Sequence, residues 1–488
     1  MEKVALVLTF LALLLPAFSM QGSADEFNEF PFHQEINLSA SDDMLYQPVD
    51  MNIQFLHPCW AEDEKSNSIR VVYDNGFEQK EIECQIYNLH HTGNSYIDSC
   101  NVVFLIQGKG RYYVYYSDRE VSPPRYTDHV KVSDDSYYYE PIPGYHISLN
   151  YYRIEQDGYT IYGIGQHGDF FGIDMSQKVI KQLDGKKEFK AFNWGQLASF
   201  AMFWYGGKDE GTDEKLVSKK IIVDGNLMVR VRITSMSADE KMETFATYTY
   251  YYSPSKEKRL IANVKHEALK ECRVEGMEED DGLYTYLLTV RCRSSSIPDL
   301  NLGYIPPYLH INAEDGTIHE YNLDQNPENT DYNWLISAKD DIDLGTNPWF
   351  SIDDGEKGKA YALIFKNNTV SNYESGIQVA ATEKQEINIP GLEVDGGGIS
   401  GGRNSYESGG VHNLVMPKGF TAKFTVEFFS SPDGGLPAVE KEADIFQKLI
   451  PFRDYRKAWE EGGNGNGGNA ERYSLTVFPH FAPSFPFA

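Results

Sequence analysis

The chain has 488 residues, 41% hydrophobic and 24% charged, the balance of a globular protein rather than a disordered or collagen-like one. Such a length accommodates roughly three domains of about 150 residues each. With 72 acidic against 44 basic residues the formal charge is −28, which opposes a phosphate backbone and an anionic membrane surface, so nucleic acid is excluded as a natural partner.

In chain order, Lys3 precedes an apolar run from Val4 to Leu15, Pro16 breaks it, and Gly22-Ser23-Ala24 supplies the small residues a signal peptidase reads. Residues 1–24 are expected to be a cleaved secretory signal, with Asp25 the first mature residue. The run is about half the length a bilayer span needs. No later segment is long and apolar enough to span, so the mature chain is expected to be secreted or held at the cell surface. Disulfides persist in that compartment. Cys272 and Cys292 are centred on Gly282, where Asp281-Gly282 reads as a hairpin turn, and Cys84 and Cys100 are centred on Thr92 in His91-Thr92-Gly93-Asn94. Two local disulfides are the expectation, with Cys59 left as a buried thiol. Asn37 with Ser39 and Asn367 with Thr369 are N-glycosylation acceptors.

Strand signals dominate the rest. Ile69, Val71 and Tyr73 alternate before Asp74-Asn75-Gly76, and Ile82, Cys84 and Ile86 alternate after it, the pattern of a hairpin. The predicted class is mainly β. A small N-terminal antiparallel sandwich over 25–125 is followed by a larger antiparallel domain over 126–437, with Ser122-Pro123-Pro124-Arg125 marking the boundary. The clearest meander runs from Lys219 to Val223 through Asp224-Gly225-Asn226 into Leu227 to Thr234, then Thr244 to Ser253 and Leu260 to Glu267. Val439, Ala443, Phe446 and Ile450 form the stripe of a helix within a segment 438–461 that Pro451 interrupts. A Gly/Asn linker and an apolar tail complete the chain over 462–488; such a tail docks on its own sheet or mediates self-association.

No familiar catalytic signature occurs. Asp324, Asn326, Glu328 and Asp331 offer hard oxygen ligands at short spacing, which makes calcium the cation to test, although Asn329 and Leu335 break the EF-hand pattern; a solvated acidic loop is the alternative. Period-two alternation puts Arg230 and Arg232 on one face of their strand and Asn263, Lys265 and Glu267 on one face of theirs. If these faces line a concavity they form a floor of groups that hydrogen-bond sugar hydroxyls and carboxylates; otherwise they are an ordinary wet surface. His167, among the glycines and aromatics of Gly163-Ile164-Gly165-Gln166-His167-Gly168-Asp169-Phe170-Phe171, is the candidate base.

The runs Val223 to Arg232, Ala246 to Tyr252 and Arg259 to Glu267 resemble the β-supersandwich domains of the galactose-mutarotase-like superfamily, which recur in polysaccharide lyases and in C-terminal parts of glycosidases. Ile69 to Gly76 with Gln85 is similar to the small β-sandwiches that often precede them. The resemblance implies a protein that binds or processes extracellular carbohydrate. As an enzyme it would perform β-elimination or hydrolysis, with His167 or a tyrosine as base and Arg230 or Arg232 neutralising a substrate carboxylate. The α/α toroid of many such lyases is missing. A noncatalytic surface or matrix assembly protein is the alternative reading.

Overall fold

The computed structural model describes residues 29–142, 145–165, 215–237, 239–275, 307–313, 315–322, 347–365 and 421–449, together with Phe27, Arg453 and shorter segments between 171 and 419. The mainly β class holds: every strand-to-strand pairing among the described residues is antiparallel, and one α-helix accompanies the sheets.

The N-terminal strands form two sheets. One has the spatial order β1 (Phe32–Ile36), β7 (Arg111–Tyr116), β3 (Arg70–Asp74), β4 (Gln79–Ile82); the other has β2 (Pro48–Trp60), β6 (Tyr96–Leu105), β5 (Cys84–Gly93). Alternate residues of both, among them Ile53, Val71, Phe104, Tyr112 and Val114, point between the sheets into one core. A meander of β8 (Val130–Ile142), β9 (Tyr145–Gln156), β10 (Tyr159–Gly165) and β11 (Phe171–Gly172) follows. Asp157 (φ 49°) and Gly158 (φ 80°) turn β9 into β10, the paired positive dihedrals that a two-residue Asp-Gly hairpin supplies at low strain.

The largest sheet runs β12 (Lys215–Asp224), β13 (Met228–Met236), β14 (Met242–Tyr251), β15 (Lys258–Ala268), β29 (Thr421–Ser431), β24 (Ala360–Phe365), β23 (Trp349–Asp353), β18 (Tyr308–Asn312), β19 (Ile318–Asn322), with β25 (Ser371–Asn372) beside β29. Smaller sheets join β16 (Cys272–Glu275) to β28 (Asn413–Met416), and β20 (Asp324–Gln325) to β21 (Trp334–Leu335). A further one has the order β17 (Val290–Cys292), β27 (Ile399–Ser408), β26 (Ala381–Ile389), β22 (Asp340–Asp343). Helix α1 (Gly435–Leu449) follows β29 directly.

The N-terminal sandwich does not stand apart from the large sheet. The outward face of β2–β6–β5 carries Tyr87 and Val103 into a second core with Met228, Tyr251, Ile261, Trp349 and Phe429. Helix α1 stitches the two cores: Val439, Ala443 and Phe446 join the second, while Ile445 and Leu449 reach the first. Apart from the small Ala443, each such side chain fully buried is worth about 1.5–3 kcal/mol against exposure. The predicted helical stripe is thus confirmed at its first three positions. Gln85 clamps the β12–β13 turn, its Oε1 accepting from the amides of Leu227 (2.8 Å) and Met228 (2.7 Å). A Cβ added at Gly225 would collide with the Gln85 amide group and displace this clamp. On the opposite face of the large sheet, the Tyr250 hydroxyl donates to Gln156 of β9 at 2.6 Å and its ring meets Tyr162 of β10.

Several charges are buried at this junction in pairs. Asp50 on β2 accepts from Arg230 Nη2 (3.1 Å), the Tyr87 hydroxyl (2.8 Å) and the Tyr251 hydroxyl (2.7 Å). Nearby, Arg259 grips Glu442 of α1 through Nε (2.7 Å) and Nη2 (2.6 Å), Gln47 donates to the same carboxylate at 2.7 Å, and Arg453 donates to Glu427 at 2.8 Å and to Gln47 Oε1 at 2.8 Å. Burial, and then the charge of Glu442, push the Glu427 carboxyl up to about 8. Burial acts on Glu442 in the same sense, but the Arg259 charge and hydrogen bonds outweigh it and hold it at about 2.

The expected disulfide between Cys84 and Cys100 is not formed. Both are buried free thiols, as is Cys59. The hairpin is not centred on Thr92: β5 pairs with β6 so that Cys84 lies opposite Phe104, while Cys100 lies opposite Ile53 of β2. Burial raises the Cys84 thiol to about 11 and Cys59 to about 12, so neither is a nucleophile at neutral pH. Cys272 and Cys292 do not face each other across a shared hairpin either; the register sets Cys272 opposite Met416 and Cys292 opposite Ile399 in separate sheets. Equal spacing about a turn residue misled here because bulges and non-adjacent partners set the register.

Two outcomes follow from the buried charges. Asp50→Ala leaves the Arg230 guanidinium without its carboxylate and should lower unfolding free energy by about 3–5 kcal/mol in a urea titration. The acid pair gives opposing pH dependences. Glutamate ionises near 4.5 when unfolded, so the stabilisation from Glu427 is complete below that value and drains as pH rises toward 8, whereas that from Glu442 is complete above 4.5 and is lost as pH falls toward 2. Glu427→Gln, which cannot ionise, should therefore lose less stability than wild type between those two upper values in denaturation curves measured across the range.

Candidate functional site

The strands that carry the sequence-predicted floor do share one face. Register pairs Arg230 with Thr249, Arg232 with Thr247, Thr247 with Asn263, and Asn263 with Thr425. One step along, Phe245 pairs with Lys265, and one step further Glu243 pairs with Glu267. Period two then puts Arg230, Arg232, Asn263, Lys265 and Glu267 on the same side of the sheet.

That side is not uniformly open. Arg230 is 2% exposed and sits inside the junction with the N-terminal sandwich, bonded to Asp50, to Thr249 Oγ1 (2.9 Å) and to the Tyr87 hydroxyl (3.2 Å). It acts as a strut between layers. Arg232 and Asn263 are also buried. Arg232 Nε donates to Thr247 Oγ1 at 3.2 Å, and Asn263 Oδ1 accepts from the Thr425 hydroxyl at 2.9 Å. These threonines are direct register partners, so each polar side chain is met by its neighbour on the next strand.

Access begins one row further out. Lys265 and Glu267 are half-buried and joined at 2.7 Å, and the Lys265 ammonium lies 5.4 Å from the centre of the Phe245 ring. Glu243, which the sequence reading did not select, stands opposite Glu267, and burial followed by the Glu267 charge raises its carboxyl above the usual range. Phe245 was also passed over. The signal for both was present in the Glu243, Phe245, Thr247 alternation of β14, which puts them on the face of Arg232. A carboxyl held toward its protonated form opposite a second carboxyl, with an ammonium and an aromatic ring in the next row, is a set that can exchange a proton and hydrogen-bond a polyhydroxylated ligand.

The other predicted groups are elsewhere. His167 lies outside the described residues, as do Asn326, Glu328, Asp331 and Asn367. Asp324 heads the short strand β20. Among the described residues no three His, Cys, Asp or Glu side chains gather to hold a metal ion, and no helix is long and apolar enough to cross a membrane. Asn37 is exposed just beyond β1, where a glycan has room.

A second polar cluster occupies the far end of the same face. His310 is 3% exposed, with Nδ1 2.9 Å from Asp353 Oδ2 and Nε2 3.1 Å from Glu320 Oε2. Burial disfavours the charged ring, but hydrogen bonds and charge from Asp353 and Glu320 outweigh it and raise the pKa above that of ordinary histidine. Ser351 completes the residue types of a nucleophilic triad without its geometry: the hydroxyl donates to Asp353, and both imidazole nitrogens face carboxylates. The cluster is a structural brace.

No protein-family model matches the sequence, and no curated protein matches it. Among solved structures, a GH36 α-galactosidase of Geobacillus stearothermophilus, crystallised with 1-deoxygalactonojirimycin, aligns at a TM-score of 0.31 and 10% identity. The alignment covers 62% of this chain and 41% of that enzyme, so the chain spans less than half of its length. At that level the similarity assigns neither family nor activity.

The half-buried row makes its own prediction. Glu267→Gln removes the like charge opposite Glu243 but not its burial. Glu243 should then titrate lower than in wild type while remaining above a solvated glutamate, as read by carboxyl chemical shifts against pH.

Proposed function

We propose that the protein is exported and binds carbohydrate on the accessible end of the large sheet face, around Phe245, Lys265, Glu267 and Glu243. The observation that carries this reading is the convergence of the predicted Lys265 and Glu267 with a ring and a second carboxyl on adjacent strands, at the margin where burial gives way to access. A pyranose offers a C–H face to an aromatic ring and hydroxyls to planar polar groups, and this row supplies both. Arg232 and Asn263 stand behind it and fix the strands' polar side chains in place.

Processing, by hydrolysis or β-elimination, is the finer version. Glu243 would then be the proton-bearing group, and His167 the additional base of the sequence reading. Locked against Asp50, Arg230 fits a supporting role better than contact with a substrate carboxylate. Calcium bound by Asp324, Asn326, Glu328 and Asp331 belongs to the same proposal, as do glycans on Asn37 and Asn367.

One observation favours the second reading, assembly at a surface or in a matrix. Among the described residues β12 pairs on one side only, with β13, and it exposes Val217 at 52% and Ile221 at 37%. Unpaired strand edges with apolar side chains template pairing with another chain. The C-terminal tail would supply such a partner strand.

The test is a glycan panel with binding, new reducing ends and new ultraviolet absorbance scored together. Lys265→Ala and Glu267→Gln should each weaken retention by roughly five- to tenfold, the loss of one charge-assisted hydrogen bond at a partly exposed site. Retention equal to wild type in both variants, with no products, would remove the sheet-face site and leave assembly as the function.

A further inference from the structure

The outer face of the β1–β7–β3–β4 sheet departs from the pattern of a two-layer sandwich, whose solvent side is normally polar. Tyr113 and Tyr115 stand at alternate positions of β7, pointing away from the core that Tyr112, Val114 and Tyr116 enter. His33 of β1 is the register partner of Tyr115. Its ring stacks on Tyr115 with centroids 5.1 Å apart and 20° between planes, and meets Tyr113 edge-on at 5.9 Å. Tyr113 and Tyr115 are 6.4 Å apart at 73°, and Phe27 extends the row at 5.0 Å from Tyr115. Three rings in mutual contact, with Phe27 against Tyr115, thus form a ledge on paired strands, His33 exposed and both tyrosines and Phe27 half-buried.

We propose that this ledge is a second glycan-binding site, taking neutral oligosaccharide or polysaccharide chains whose sugar rings lie against His33, Tyr113 and Tyr115. It goes beyond the reading of the large sheet face and stands without it, because the two surfaces share no residue. Three observations carry it. The rings are held by strand register and by one another, so little order has to be gained on binding. Hydrogen-bonding groups border them: Glu35 on β1, and on the other side Gln79, whose Oε1 lies 3.5 Å from the Tyr115 hydroxyl and whose Nε2 donates to Asp74 Oδ2 at 3.3 Å. Finally, the border is acidic. Glu35, Asp74 and Glu81 flank the ledge; the exposed Arg111, on the same face of β7 as Tyr113, is the register partner of Asp74, and the buried Arg70 is turned toward Glu81 and the backbone carbonyls of Asn67, Ile69 and Ser122, so carboxylates outnumber cations there. On a chain of formal charge −28, a uronate or sulfate polymer would meet like charge, whereas an uncharged sugar chain would not.

The experiment is affinity electrophoresis of the full chain in gels containing hydroxyethylcellulose or galactomannan, with polygalacturonate and alginate as anionic counterparts. Wild type should be retarded by at least one neutral polymer. Tyr113→Ala/Tyr115→Ala should weaken that retardation roughly tenfold, equivalent to about 1.4 kcal/mol. His33→Ala removes an exposed ring without touching the core, and should weaken it by about two- to fivefold, the range of one aromatic contact. Lys256→Ala, at an exposed position outside both surfaces, should leave it unchanged. The proposal is overturned if no neutral polymer retards the wild type, or if His33→Ala, with an unaltered melting curve, is retarded as strongly as wild type. Retardation that depends on Lys265 and not on the rings would assign the binding to the large sheet face. Ring-dependent retardation by the anionic polymers alone would overturn the neutral class. A dimer that the ring substitutions dissociate, without polysaccharide binding, would assign the ledge to a second copy of the chain.

Discussion

The Asp50 carboxylate is the constraint on which the layered arrangement depends. It comes from the N-terminal sandwich, is fully buried, and meets a guanidinium and a hydroxyl from two strands of the large sheet as well as a hydroxyl of its own sandwich. A buried ion pair rarely adds stability over a well-packed apolar junction, but it is intolerant of misplacement, because a shifted layer strands a charge in a medium that cannot solvate it. The apolar contacts of Tyr87, Val103, Met228 and Phe429 drive the layers together. The Asp50–Arg230 pair, and the Arg259–Glu442 and Arg453–Glu427 pairs beside it, fix their register.

This division of labour bears on function. One half of the large sheet face is used up in holding the molecule together, and α1 and the N-terminal sandwich cover it. The polar residues that remain reachable are those beyond the covered rows, where Lys265, Glu267 and Glu243 surround Phe245. The same logic separates His310 from catalysis. Its two nitrogens are both taken by carboxylates, which orders the ring and removes it as an acceptor from Ser351. A cluster with the residue types of a catalytic site is here a means of closing the sheet's far end.

Much of the architecture was legible in the sequence. Alternation in Val229, Val231 and Ile233 and in Tyr248 and Tyr250 identified strands and their apolar faces because a pleated strand has a strict period of two. Asp224-Gly225-Asn226 identified a turn because these residue types favour turns over strands, and the stripe Val439, Ala443, Phe446 identified the helix. The disulfides were misread for a related reason. Symmetric spacing about a turn says which residues face each other only if the hairpin is regular, and β5 against β6 contains register shifts that displace Cys84 from Cys100. The aromatic ledge was hidden differently: Tyr113 and Tyr115 look like any β-forming residues until Tyr112 and Val114 are seen to take the core side.

By itself the sequence determined the mainly β class, the strands of the meander from β12 to β15, the helix that follows β29, and which of Arg230 and Arg232, and of Asn263, Lys265 and Glu267, share a face of their own strand, since all of these follow from local periodicity and turn chemistry. Only the tertiary structure decided which of those residues are struts and which are accessible, that Glu243 and Phe245 belong with them, and that three cysteines stay apart. Such outcomes depend on which layer packs against which face. That choice is made by contacts between residues more than a hundred positions apart, as between Asp50 and Arg230, and no local pattern encodes them.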